Sequence, residues 1–224
     1  MTLFSSCREA AFLVSHPRLW FRKPLEATSL DRDPFKQFSQ WYAGARSCWT
    51  LEFANAMTLS TVDSDGYPDA RVVLLKEFNQ QGFVFYTNSN SQKGRQLQDS
   101  AKAHLTFYWG PLQRQVRIKG DVELVDETQA DKYFAGRPRE SQIGAWASEQ
   151  SSELSGRGEL IEKAAQLRAK FAGGPVPRPP HWNGYRVVPK VFEFWELRLS
   201  RLHDRFEFVR EDENSEWIVR RLSP

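Results

Sequence analysis

Between Ala56 and Val125, short runs rich in β-branched and aromatic residues alternate with turn signals, and this spacing constrains the fold more than any other feature. Met57-Thr58-Leu59-Ser60-Thr61-Val62 runs into Asp63-Ser64-Asp65-Gly66, a strong turn sequence. Asp69-Ala70-Arg71-Val72-Val73-Leu74-Leu75-Lys76 follows, then a second turn at Asn79-Gln80-Gln81-Gly82 and a return strand over 82–87. A short helix is expected from Lys93 to Gln98. Two further strands, 103–109 and 113–125, are divided at Gly110-Pro111. Short strands joined by turns indicate an antiparallel meander, the raw material of a barrel.

The run 69–76 organises the rest. Its Val-Val-Leu-Leu centre reads as a buried strand with a cation near each end. A guanidinium or ammonium bordering a buried strand needs an anion, because unpaired buried charge is costly. Side chains alternate along a strand, so Arg71 and Lys76 point to opposite faces unless a bulge intervenes. They then serve different anions, or different parts of one ligand. The plainer alternative is that both reach water.

The flanks add helices and a second candidate site. Residues 1–32 read as an N-terminal arm, loosely docked or acting as a lid, with Arg18, Trp20, Arg22 and Lys23 as a basic-aromatic cluster. Asp33-Pro34 is a helix start, and Phe35, Phe38, Trp41, Tyr42 and Ala45 make an apolar stripe to about Ser47. A helix over 126–135 stops at Gly136, and Pro138 begins another that carries Ser141 in its first turn. This break brings Tyr133, Arg137, Ser141 and a helix N-terminus together, which suits a phosphate. As ordinary structure, Arg137 is a surface charge and Ser141 a first-turn residue. A helix over 159–171 and a proline-rich connector over 175–180 lead to strands at 184–188, 191–199, 205–210 and 217–222. Arg201-Leu202-His203-Asp204-Arg205 concentrates charge around a tunable imidazole; as a plain turn it is a solvated salt-bridge cluster.

At 224 residues the chain suits one large domain or one and a half. The 31 basic and 28 acidic residues are interleaved, so the cations read as local anion sites and not as a nucleic-acid track. No apolar run approaches the ~20 residues that span a bilayer. Residues 1–14 make a poor secretory signal, and Cys7 and Cys48 read as reduced thiols of a cytoplasmic protein. Eight tryptophans and 16 phenylalanines exceed the needs of a core this size and fit flat ligands or a subunit interface. His16, His104, His181 and His203 have no ligand spacing, so no metal site is expected. P-loop, dinucleotide and nucleophile-elbow signatures are absent.

Seven segments then occur in one order: Arg71–Lys76, Tyr86-Thr87, Arg114-Gln115-Val116, Arg137-Pro138-Arg139-x-Ser141-Gln142-Ile143-Gly144-Ala145-Trp146, Gln150-Ser151-Ser152, Glu193-Phe194-Trp195 and Arg201–Arg205, with Arg221-Leu222-Ser223-Pro224 at the end. Over about 33–224 the chain resembles the pyridoxine/pyridoxamine 5′-phosphate oxidases. That resemblance implies an α+β protein, an antiparallel split β-barrel with peripheral helices, formed by residues 33–224 as a single domain. It implies a homodimer with FMN in clefts at the subunit interface. Arg71, Val72, Val73, Leu74, Leu75, Lys76, Tyr86, Thr87, Gln92, Lys93, Gln115, Gln150, Ser151, Trp195 and Arg205 would hold FMN. Lys76, Tyr133, Arg137 and Ser141 would hold the substrate phosphate. Arg201 and His203 would lie over the pyridine ring as the catalytic pair, positioning and polarising it.

The implied chemistry is hydride transfer from the substrate C4′ carbon to the flavin, with O2 as the final acceptor and hydrogen peroxide as a product. A cofactor of this kind does the electronic work, and the protein supplies orientation and charge. Three positions depart from the family pattern. Gln92 stands where arginine is common, Glu196-Leu197 replaces a glycine-containing loop, and Arg18 and Trp20 match an arginine-tyrosine lid only loosely. Two other readings are a phenazine-biosynthesis-type flavin oxidase and a non-catalytic FMN or pyridoxal-phosphate binding protein. Retention of Lys76, Arg137 and Ser141 disfavours the first.

Overall fold

The computed structural model describes residues 22–212 and 215–224. Cys7, His16, Arg18 and Trp20 lie outside them. Among the described residues the α-helices are α1 (Pro34–Arg46), α2 (Gln92–Ser100), α3 (Glu127–Ala135), α4 (Arg139–Ala147) and α5 (Arg157–Lys170). The strands are β1 (Ala56–Val62), β2 (Pro68–Leu74), β3 (Glu77–Asn79), β4 (Gly82–Asn88), β5 (Lys102–Trp109), β6 (Arg114–Leu124), β7 (Trp182–Glu196), β8 (Asp204–Val209) and β9 (Ile218–Arg221). Their order is β2-β1-β5-β6-β7-β4-β3, with β8 on β7 and β9 on β8.

The chain forms two compact units. Unit 1 comprises the described residues through Glu52, Tyr108–Val116 and Phe192–Pro224; unit 2 comprises Phe53–Phe107 and Arg117–Val191.

Unit 1 is held by aromatic packing. The Asp33 side chain accepts from the Phe35 N–H at 2.9 Å and caps α1, with Pro34 at its first position. The expected stripe is the buried one: Phe35, Phe38, Trp41 and Ala45 face inward. Phe35 meets Phe192 edge-on at 5.1 Å, and Trp41 meets Phe194 at 5.3 Å. Each such buried ring contributes roughly 1.5–3 kcal/mol by leaving water. Residues 22–25 join the same unit through hydrogen bonds: Leu25 N–H donates to Asp204 at 3.0 Å, a buried bond, and Arg198 donates to the Arg22 carbonyl at 2.9 Å.

Unit 2 packs Met57, Leu59, Phe83, Phe85, Leu105, Phe107, Ile118 and Val187 into its core. The turn at 63–66 forms as expected, with Gly66 at φ +87° and Asp63 accepting from the Asp65 and Tyr67 N–H groups. α3 and α4 add a second cluster of Phe134, Ile143, Val176 and Trp182.

Two expectations are corrected. β2 is not a buried strand: none of its residues is buried, and Val72 is 67% exposed. The reason is its place at the end of the strand order, where it has β1 as its one neighbour; Leu75, just beyond it, is buried. The strands expected at 184–188 and 191–199 are one 15-residue strand, β7, which runs through Pro189 and ends at Glu196. Gly120 on β6 makes the passage possible, because a Cβ there would lie 2.0 Å from the Val188 carbonyl oxygen. Gly136, for its part, keeps a right-handed φ of −77°, so the end of α3 owes more to Pro138 than to a left-handed glycine.

Candidate active site

Unit 2 contains a cavity of about 990 Å³, within the size range of ligand clefts. The ends of β2 and β4, with α3 and α4, all reach it. Of the site residues expected from sequence, Val72, Val73, Leu74, Lys76, Tyr86, Thr87, Lys93, Tyr133, Arg137, Ser141 and Gln150 line it.

One group of polar side chains centres on Lys93. Ser91 caps α2 by accepting from the Gly94 N–H at 3.2 Å, and the positive end of the helix dipole there favours an anion. Lys93 Nζ donates to Gln150 Oε1 at 2.9 Å, and Thr87 donates to the same oxygen at 3.2 Å. Burial holds the Lys93 ammonium below its ordinary pKa, the neighbouring Arg71 charge adds to this, and Asp69 opposes it. Arg71 itself is paired within the chain. It forms an ion pair with Asp69 and donates to Thr61 Oγ1 at 2.6 Å and Gln96 Oε1 at 3.2 Å. Gln92 is exposed, and its N–H donates to Ser151 Oγ at 3.2 Å; Ser151 adopts φ +75°.

The second group surrounds Arg137. The rings of Tyr133, Tyr86 and Trp182 stack nearly parallel, with centroids 4.1 Å apart for the first pair and 5.1 Å for the second. The Arg137 guanidinium sits 4.6 Å over Trp182 and 5.5 Å from Phe134. Its Nη1 is buried without a hydrogen-bond partner, as is the Tyr86 hydroxyl. Burial lowers the Arg137 pKa from its ordinary value, yet a guanidinium stays charged. Burial also raises the Tyr86 phenol to about 12, helped by Glu77 and Tyr133. Lys76 Nζ lies 6.0 Å from the Tyr133 ring. Ser141 stands in the first turn of α4, its N–H already donated to the Pro138 carbonyl at 2.8 Å. A half-buried cation with a buried, unused donor, sharing a cavity with a lysine, a phenol and a hydroxyl, has the chemistry to take a phosphate-like anion.

The remaining expected residues belong to unit 1. Gln115 lies on β6. Trp195, at the end of β7, packs its ring 4.8 Å from that of His203. Arg205 donates to Glu193 at 2.8 Å and to the Ser223 carbonyl at 2.9 Å. Arg201 is exposed, with φ +60°. Burial, and then the Arg201 charge, lowers the His203 pKa from its ordinary value.

A model of the pyridoxamine 5′-phosphate oxidases matches residues 50–171. A relative from Azorhizobium caulinodans, named pyridoxine/pyridoxamine 5′-phosphate oxidase, is 53% identical over 86% of this chain and 90% of its own length. The chain belongs to the pyridoxamine 5′-phosphate oxidase family. A second oxidase of that name, from Caulobacter vibrioides, is 52% identical over 87% of this chain and 86% of its own. A model described as the pyridoxine 5′-phosphate oxidase C-terminal dimerisation region matches residues 182–224.

Solved structures place the fold of this family member among split β-barrels. PhzG from Burkholderia lata, crystallised with tetrahydrophenazine-1-carboxylic acid, aligns with a TM-score of 0.80 at 34% identity, covering 87% of this chain and 94% of its own. An FMN-binding protein from Nostoc punctiforme, related to pyridoxamine 5′-phosphate oxidase, aligns at 0.67 with 19% identity, covering 84% and 97%. The second likeness speaks for the fold alone.

Sequence reasoning missed several residues of the family member's cavity. The Trp182 ring lies against the Arg137 guanidinium, and Glu77, Gln129 and Lys132 are among the other lining residues. Asp69, the in-chain partner of Arg71, was legible in principle: two residues apart on one strand, the pair shares a face.

Proposed function

We propose that this chain oxidises pyridoxine 5′-phosphate and pyridoxamine 5′-phosphate to pyridoxal 5′-phosphate, using FMN and O2. The observation that carries the reading is the buried, unpartnered Nη1 of Arg137 in a cavity shared with Lys76, Tyr133 and Ser141. That donor set fits a phosphate monoester on a flat ring. The Lys93 group, with its helix N-terminus, fits a second phosphate, and so the residues present suit FMN.

FMN, when bound, supplies the hydride acceptor. Lys93, Thr87, Gln150, Ser151 and the 71–76 segment would hold it, in clefts at the interface of a homodimer. Arg137, Lys76, Tyr133 and Ser141 bind the substrate phosphate far from the reacting carbon, and this remote binding energy serves alignment. Arg201 and His203 position the pyridine ring. The alcohol loses two electrons and two protons, which reduce O2 to hydrogen peroxide. The amine does the same, takes up water and releases ammonia. A cytoplasmic setting accompanies this reading, in keeping with the sparse cysteines.

The test is direct. Purified protein supplied with FMN and pyridoxine 5′-phosphate under air should form aldehyde and peroxide in equal amounts. Protein that cannot be loaded with FMN would remove every flavin reading. Flavin binding without turnover would favour a binding protein, and turnover of phosphate-free dihydrophenazine acids alone would favour a phenazine-type oxidase.

A further inference from the structure

The departure at Glu196-Leu197 has a structural counterpart in unit 1. Glu196 is 2% exposed, and its carboxylate receives Arg114 Nε at 2.8 Å and Arg198 Nη2 at 2.8 Å, with Arg22 at 3.4 Å. Asp204, also buried, accepts from Arg198 Nε at 2.5 Å, Arg221 Nη1 at 2.9 Å and the Leu25 N–H at 3.0 Å. Those donors outweigh burial and hold its carboxyl below the ordinary range. Arg198 therefore joins two buried carboxylates. Its remaining donors go to the carbonyls of Arg22 and Lys23 at 2.9 and 2.5 Å.

Between the two carboxylates runs the segment that carries Arg201 and His203. Ser200 and Arg201 both sit at positive φ, +55° and +60°, a conformation that non-glycine residues hold only when their surroundings impose it. At the base of this segment the Arg198 backbone N–H donates to His203 Nδ1 at 3.1 Å. An N–H can only donate, so Nδ1 must be the unprotonated nitrogen and the proton must reside on Nε2.

We propose that Arg198 is a positioning residue: its side chain, clamped between Glu196 and Asp204, pins the 199–202 turn, and its main-chain N–H sets His203 as the neutral Nε2–H tautomer. His203 then presents a hydrogen-bond donor at Nε2 and no free base at Nδ1. Burial and the Arg201 charge both disfavour a second proton on the ring, and the lowered His203 pKa agrees with a neutral imidazole. The catalytic consequence rests on the proposed contact of His203 with the substrate ring. The tautomer itself does not.

Histidine-selective ¹⁵N labelling and long-range ¹H–¹⁵N correlation in flavin-free and flavin-loaded protein read the tautomer directly, with His203→Gln assigning the signal. The expected spectrum has a pyridine-type Nδ1 and a protonated Nε2 at neutral pH. An Nδ1–H or doubly protonated ring would overturn the proposal. Arg198→Lys keeps the charge but loses the fork; it should bind flavin, show mixed His203 tautomers and lose on the order of ten- to a hundredfold in kcat/KM. Arg198→Lys with the original single tautomer would reduce the clamp to a structural role and overturn it. Should that variant not fold, Glu196→Gln, which keeps the shape but leaves one acceptor oxygen where Arg114 and Arg198 now have two, carries the same two outcomes. If the tautomer is as expected but no vitamin phosphate is oxidised, the functional reading fails while the clamp stands.

Discussion

Arg137 bears a permanent charge in a place where burial disfavours it, and it has ring faces for neighbours in place of a carboxylate. An in-chain anion would relieve the cost and also spoil the site. A charge-assisted hydrogen bond is worth about 1.5–3 kcal/mol, so Arg137→Ala should raise KM for pyridoxine 5′-phosphate roughly ten- to a hundredfold, with bound flavin retained. Steady-state kinetics with a flavin absorbance spectrum checks both parts, and loss of flavin would mean that Arg137 serves the other phosphate. The types of Tyr133, Arg137 and Ser141 could be read from the sequence because a helix break places them close along the chain. Trp182 could not, since it comes 45 positions after Arg137 by numbering and meets it through folding alone. Arg71 shows the converse: the sequence asked for an anion beside it, and one, Asp69, lies within the chain.

At the level of elements, a helix start was legible where its cap was, because caps act within three or four residues: Asp33, expected as a cap, accepts from the Phe35 N–H, whereas the caps at Ser91 and Asp126 emerge only in the structure. Strand continuity was less so. Two strands were expected on either side of Pro189, a residue that lacks a ladder donor, but Gly120 opposite lets the backbones approach and the strand runs through. Gly120→Ala would drive a Cβ into the Val188 carbonyl. A clash of that kind costs on the order of 1–3 kcal/mol, which for a chain of this size lowers Tm by roughly 2–12 °C. Thermal unfolding of the variant measures it, and an unchanged Tm would show that the two backbones are not in contact there.

For the molecule as a whole, the exposed apolar residues need an explanation. Val72, Leu74, Tyr108, Leu124 and Ile218 are between 37% and 67% exposed in the single chain, and Ile218 lies within the stretch matched by the dimerisation-region model. In the proposed homodimer such side chains are covered. Ile218→Asp would bury a charge there, and unpaired buried charge is expensive. Sedimentation should show a shift from dimer to monomer at micromolar concentration, accompanied by release of flavin if the clefts form between subunits. An unchanged dimer would place the interface elsewhere.

Composition, turn chemistry and apolar periodicity by themselves pointed to an antiparallel β protein with helices and to one phosphate-suited group at the break after Tyr133, because each of these signals operates over a few neighbouring residues. Only the tertiary structure decided that β2 is an edge strand, that Arg71 is satisfied by Asp69, and that Glu196 and Asp204 clamp Arg198 beside His203. Burial and charge pairing depend on which distant segments meet, and no local pattern encodes that meeting.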